Sequence, residues 1–519
     1  MFFNSFLAFV LGTSYALYWV EALGRVDRVR RDVQPVLDRM AKKWNMSFTF
    51  GFTEDGDKIG LSAGLDNIWN HSIPLHPNKS RLFPNWGPER RDYKLNPDTL
   101  IPMGSVTKPW TGLRIMQFIE RGKLFLDDKA YTRIDPVLSK LWNTTLHLLW
   151  GPDSSIVTIR DLLGMTSGFA DYNDTILETV TIVRTGDDVG PYAYLLSASR
   201  SANRGWVCKP RTCAMYSGAN YVLLGLVLVG LDGGYSWQEF DQRTVIPQQL
   251  WDAGRYENTG FLKYGRCLEY PRIAHQWTVP YTKPKNSTAD VSFVDMSTSS
   301  CLNGWTMGNI ASTGEDLATF FYDVFTLAPT GKGYVNSTTL ELMQQWHALN
   351  DTWCEGPGGY GTCQYGLSFF RDQVAQDIWP LQDPSASMDD VRVLGHPGED
   401  WGSGCSPCGY NKAFKFGICI GYNSLYGMNC SMDWNLNYYA TYEATCLVYD
   451  AVLQVAGAPR LNCTIPEVSS AKHVTCEWLE RNSEFIGPHP RPEAKRKKHH
   501  HVLPPTAPMF TRGTDSIVV

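Results

Sequence analysis

Charge is sparse and nearly balanced along this 519-residue chain: 47 Lys and Arg stand against 52 Asp and Glu, a formal net charge of −5. That leaves no basic excess to neutralise a phosphate backbone, so nucleic acid is set aside as a partner. Long apolar runs are missing beyond the N-terminus, and nothing there is long enough to span a bilayer. No internal repeat occurs. Cysteine is absent before Cys208, and all thirteen lie between Cys208 and Cys476. Cys405-Ser-Pro-Cys408 is a C-x-x-C, but no second C-x-x-C or H-x-x-x-H accompanies it at zinc spacing, so structural disulfides are expected rather than a metal site. An odd count leaves at least one thiol unpaired or joined to another chain, and Cys208 and Cys213 are near enough to bridge a short loop.

What is present points to an extracytoplasmic protein. Residues 1–24 are apolar and uncharged up to Glu21, which predicts a secretory signal peptide. They lack a basic leading region, and Arg25, Arg28, Arg30 and Arg31 follow instead. An uncleaved N-terminal anchor is therefore the alternative, and the only route to a membrane. Ten N-x-S/T sequons lie at Asn45, Asn70, Asn78, Asn143, Asn173, Asn286, Asn336, Asn350, Asn429 and Asn462, matching secretion with N-glycosylation. Residues 481–519 carry KRKKHHH and six prolines with few core residues, and read as a disordered basic tail.

Between these ends, apolar positions from Val26 to Trp44 recur with helical spacing, interrupted only by Pro35. Residues 47–63 alternate around Asp55-Gly56 and predict a β-hairpin. Residues 65–100 are polar and rich in Pro and Asn, as a surface loop is. Helical segments dominate about 110–325, and strand character returns over 386–424. Strands at both chain ends around a helical middle predict one α/β (α+β) domain over 25–480, with an inserted mainly helical region.

The chemistry rests on Ser105-Val-Thr-Lys108, at the head of a helical run in which Leu113, Ile115, Met116 and Ile119 share the apolar rhythm. Residues i and i+3 share a helix face, so Lys108 can reach the Ser105 hydroxyl. Serine needs a neighbouring base to act as a nucleophile, and a partly buried lysine serves. Ser469-Ser-Ala-Lys472 fits the same template but lacks a following helix. Gly60-Leu-Ser62-Ala-Gly64 matches a nucleophile elbow, yet lies in a hairpin arm rather than between a strand and a helix.

Five segments in order resemble the serine β-lactamase and penicillin-binding-protein superfamily, nearest its class C β-lactamase, esterase and D-aminopeptidase branch. They are Gly104-Ser105-Val-Thr-Lys108; Ile159-Arg-Asp-Leu-Leu163 with Thr166-Ser-Gly168 and Asp171-Tyr172; Tyr216-Ser217 leading into Tyr221; Ser312-Thr-Gly-Glu-Asp-Leu317; and Gly395-His396-Pro-Gly398. The resemblance implies an antiparallel sheet flanked by helices and an acyl-enzyme on Ser105, with Lys108 and Tyr216 sharing the proton transfers. It implies that His396 and Gly398 line the far wall and that the Glu399 N–H joins that of Ser105 as oxyanion donor.

Tyr256-Glu-Asn258 matches the family's Y-x-N literally, but Tyr216 precedes a helix as the family's tyrosine does, and Tyr216 is preferred. Gly218 then stands where the family has asparagine, and Asn220 is a candidate substitute. Where a β-lactamase has K-T-G, this chain has His396, Pro397 and Gly398, followed by Glu399, a poor cradle for a β-lactam carboxylate. The expected substrate is a small ester, amide or peptide, hydrolysed without metal or organic cofactor. The alternative is a catalytically silent binding protein of the same fold.

Overall fold

The computed structural model describes residues 24–64, 95–173, 177, 188–234, 236–270, 272–278, 294–351, 363–371, 380–428 and 440–464. Residues 1–23 of the signal segment, the basic tail, the Ser469–Lys472 copy and most of the 65–100 loop lie outside them.

The principal helices are α1 (Arg25–Trp44), α2 (Thr107–Glu120), α3 (Ala130–Trp142), α4 (Gly218–Leu231), α5 (Gly314–Leu327) and α6 (Ala440–Ala456). The strands used below are β1 (Phe48–Glu54), β2 (Asp57–Ala63), β3 (Ile101–Gly104), β4 (Gly260–Phe261), β5 (Ile310–Ser312), β6 (Leu394–Gly395), β7 (Gly398–Asp400), β8 (Ser403–Asn411) and β9 (Phe416–Tyr422). The main sheet is antiparallel and runs β6-β8-β9-β1-β2, with β7 also pairing onto β8. Both chain ends therefore build one sheet, as expected. The first hairpin turns through Asp55 (φ 49°) and Gly56 (φ 93°), the paired left-handed conformation that matches strand twist.

Alternation in β1 explains the layering. Phe48, Phe50 and Phe52 are fully buried in a core shared with Val29, Val33 and Trp44 of α1 and Val448 and Val452 of α6. The intervening Thr49, Gly51 and Thr53 face α5: Thr49 Oγ1 accepts from Gly314 N at 3.0 Å, and Thr53 and Thr319 hydroxyls meet at 2.9 Å. Small and hydroxylated residues on that face let the helix lie almost on the strand backbone. The helical region packs a second core, in which Trp110 of α2 stacks on Phe320 of α5 with centroids 4.0 Å apart. The candidate site lies beside this second core, where β3, paired with β5, leads into α2 and β7 runs alongside.

Ser62 sits within β2 and donates from Oγ to Leu95 O at 3.3 Å, in a hairpin arm rather than an elbow. Four disulfides join described residues: Cys208–Cys213, Cys267–Cys301, Cys408–Cys419 and Cys446–Cys463. Cys405 and Cys408 of the C-x-x-C are not joined to each other, because Cys408 is bridged across the sheet to β9. Cys405 is left as a buried thiol beside that bridge.

Candidate active site

Ser105 lies where β3 ends and α2 begins. Gly104 has φ +56°, and a Cβ there would lie 2.0 Å from the Glu399 carbonyl oxygen. Glycine alone fits, and it lets β7 press against the serine turn. Thr107 pins the same turn from behind: its hydroxyl donates to Gly104 O at 2.7 Å and accepts from Ile310 N at 3.0 Å.

One helical turn on, Lys108 Nζ lies 2.8 Å from Ser105 Oγ and donates to Met307 O at 3.0 Å. Lys108 is only 1% exposed. Burial drives its pKa down from 10.5 to about 7, opposed by the negative charge of Asp171. At neutral pH a large share of the amine is therefore unprotonated and able to take a proton.

Tyr216 completes the cluster. Its hydroxyl hydrogen-bonds the Ser105 side chain, and Lys108 Nζ sits 4.9 Å from its ring centre. Burial holds the phenol well above its ordinary value, so it stays protonated. Its backbone N–H donates to Asp351 Oδ2 at 2.6 Å. Tyr256, the literal Y-x-N tyrosine, is instead fully buried beside Asp323 and Tyr334.

The expectation for Asn220 is corrected. It is fully buried; its Oδ1 accepts from Ser167 Oγ at 2.7 Å and its Nδ2 donates to Met165 Sδ at 3.4 Å. Two residues into α4, its side chain turns into the helix packing, and its amide is committed to Ser167 and Met165. At Gly218, a Cβ would meet Met307 Sδ at 2.4 Å, so the methionine occupies the room an asparagine side chain needs.

His396 is 1% exposed, 4.8 Å between ring centres from Phe370 and 6.0 Å from Tyr216. Its Nε2 lies 3.4 Å from Tyr365 Oη. Burial first, then the charge of Lys108, press its pKa well below 6.5, so it is neutral. Gly398 passes so close to β3 that a Cβ would lie 1.8 Å from Met103 O, while the Glu399 side chain is exposed.

The family model described as Beta-lactamase matches residues 54–429. The chain belongs to this family. Solved structures with the same fold include the D-amino acid amidase from Ochrobactrum anthropi SV3, complexed with L-phenylalanine amide (TM-score 0.55, 15% identity, 83% of this chain and 99% of that one). A D-stereospecific amidohydrolase from Streptomyces sp. matches with TM-score 0.51 and 17% identity over 76% of this chain and 94% of its own. The octameric penicillin-binding protein homologue from Pyrococcus abyssi matches with TM-score 0.53 and 19% identity over 82% and 77%. At such identities the likeness is one of fold.

For this beta-lactamase family member, the expected Ser105, Lys108 and Tyr216 meet in one cluster, and His396 and the Gly398–Glu399 strand border it. Sequence reasoning missed three neighbours of this cluster: the Met307 carbonyl, Asp351 and the charge of Asp171. Asp171 was in view only as part of a motif. Asp351 lies 135 residues from the tyrosine whose backbone it holds, with no local pattern to announce it. Of the sequons, Asn143, Asn173, Asn336, Asn350 and Asn462 are exposed and Asn45 is half-buried. Asn70, Asn78, Asn286 and Asn429 lie outside the described residues.

Proposed function

We propose that this protein is a secreted, glycosylated serine hydrolase that cleaves a small ester or amide through an acyl-enzyme on Ser105. The carrying observation is the 2.8 Å contact between Ser105 Oγ and a buried Lys108 whose pKa is lowered to about 7. Neutral Lys108 takes the hydroxyl proton as Oγ attacks the carbonyl carbon. The Ser105 and Glu399 N–H groups receive the developing oxyanion. Tyr216, protonated and in contact with Ser105, passes a proton to the leaving oxygen or nitrogen, and Lys108 resupplies it. Water then attacks the acyl carbon by the reverse relay and frees Ser105.

Exposure of the purified protein to a fluorophosphonate should give one phosphonyl adduct, on Ser105, located by peptide mass spectrometry. A folded protein without that adduct would favour the silent binding-protein reading.

The far wall bears on the substrate. His396 is neutral and buried, Pro397 offers no hydroxyl, and Glu399 places a negative charge at the exposed edge. Among the described residues, this wall offers a substrate carboxylate no cation. A chromogenic cephalosporin should therefore turn over far more slowly than an uncharged activated ester or an amino acid amide, measured as kcat/KM on one preparation. Comparable values would remove the argument against β-lactams. Amides are favoured partly by the fold neighbours, a D-amino acid amidase and a D-stereospecific amidohydrolase.

A further inference from the structure

We propose that Asp171 is a positioning residue that replaces the family's missing asparagine, acting on Lys108 through its charge and on Tyr216 through the backbone of α4. The inference rests on the acyl-enzyme reading of Ser105.

Three observations converge on this carboxylate. Its Oδ1 accepts from Gly218 N at 2.9 Å and from Tyr172 N at 2.9 Å, so it grips the chain two residues beyond Tyr216. A Cβ on Gly218 would lie 3.4 Å from the same oxygen, which puts the carboxylate beside the point where an asparagine side chain would start. Its charge is also felt at both reacting groups: it raises the pKa of Lys108 against burial and adds to the rise at Tyr216. The family's asparagine, when present, is a neutral amide touching the lysine. Here Met307 fills that space, and the role passes to a charge approaching from the neighbouring loop.

Among the described residues, the other groups around the amine do not supply this charge. Tyr216 and Tyr221 face Lys108 with neutral rings, and their hydroxyls are held above their ordinary value by burial. His396 is neutral, and the Met307 carbonyl contributes a dipole. Asp351 faces Tyr216 and holds its N–H, but it is not among the groups that move Lys108. A buried lysine with only these neighbours loses its proton too readily to be an effective base near neutrality. The charge of Asp171 restores basicity, acting against the burial that lowers it.

A bare capping role for Asp171 at the start of α4 is separable from this one, because asparagine has an oxygen that accepts the same two N–H bonds. Asp171→Asn therefore removes the charge and keeps the scaffold. Loss of a neighbouring negative charge lowers a lysine pKa, so the acid limb of kcat/KM against pH should move down by about half a unit to one unit. The plateau should fall as the base weakens. Asp351→Asn, which also keeps its bond to Tyr216, should leave the limb in place. If Asp171→Asn does not fold, Asp171→Ser removes the same charge and is read on the same limb. An unshifted limb in a variant that still takes the fluorophosphonate on Ser105 overturns the proposal and leaves the acyl-enzyme reading standing. Failure of wild-type Ser105 to react overturns both.

Discussion

Lys108→Met should lower kcat/KM by on the order of 10²–10⁴, the span that general acid–base catalysis contributes. It should also erase the rise of activity with pH near 7. Methionine matches the unbranched stem of the lysine and fits an apolar pocket, so the lost atoms are essentially the amine and its two bonds, to Ser105 Oγ and Met307 O. Among the described residues Ser105 then has no base within reach, since Tyr216 keeps its proton and His396 contacts Tyr365 and Pro397 rather than the serine. Rates equal to wild type would remove lysine from the mechanism.

Stability should change in the opposite sense. The folded-state pKa of Lys108 is about 7 against 10.5 for a free lysine. Between those values the unfolded chain holds the proton more often than the native one, so stability rises with pH across that window, and the penalty is fully present below it. Each unit of depression corresponds to about 1.4 kcal/mol. The methionine variant lacks this term. Its melting temperature, compared with wild type at pH 6 and at pH 9, should gain most at the lower pH, after allowance for the unpaired Met307 carbonyl. A buried amine that costs stability and sits on a serine hydroxyl is the signature of a group retained for chemistry.

The parts of this site that were legible beforehand are those whose signal is local. Ser105 and Lys108 are one turn apart, so helix geometry alone puts them together. The β1–β2 hairpin announces itself through alternation and Asp55-Gly56. Tyr216 and His396 needed the resemblance, because a tyrosine before a helix and a histidine in a short strand carry no chemistry by themselves. Asn220 misled for a physical reason: position i+2 on a helix points far from i, and its amide was already committed to Ser167 and Met165. The charge of Asp171, the grip of Asp351 and the Met307 carbonyl depend on three-dimensional closure between segments far apart in the chain. Disulfide partners were hidden likewise, except for Cys208 and Cys213, five residues apart.

Gly104→Ala should be severely damaging for the addition of a single methyl group. Its backbone conformation, φ +56°, disfavours any side chain, and the added Cβ would sit 2.0 Å from Glu399 O. Gly398 faces the same seam from the other side, where a Cβ would lie 1.8 Å from Met103 O, so neither β3 nor β7 has slack to absorb the methyl. Either the Ser105 turn or the Glu399 strand must shift, and with it one of the two N–H groups proposed to hold the oxyanion. Losing one such donor costs on the order of 10²–10³ in turnover. The strained backbone adds roughly 1–3 kcal/mol of destabilisation.

Gly122 separates the two effects. It has nearly the same conformation, φ +63°, just beyond the end of α2, but nothing lies within 4 Å of its would-be Cβ. Gly122→Ala should therefore lower the melting temperature modestly and leave kcat/KM intact, whereas Gly104→Ala should lose both. Equal activity in the two variants would mean that the close approach of β7 to the serine turn is packing alone. A selective loss at Gly104 would mean that the glycine is kept to hold the Glu399 backbone against the nucleophile.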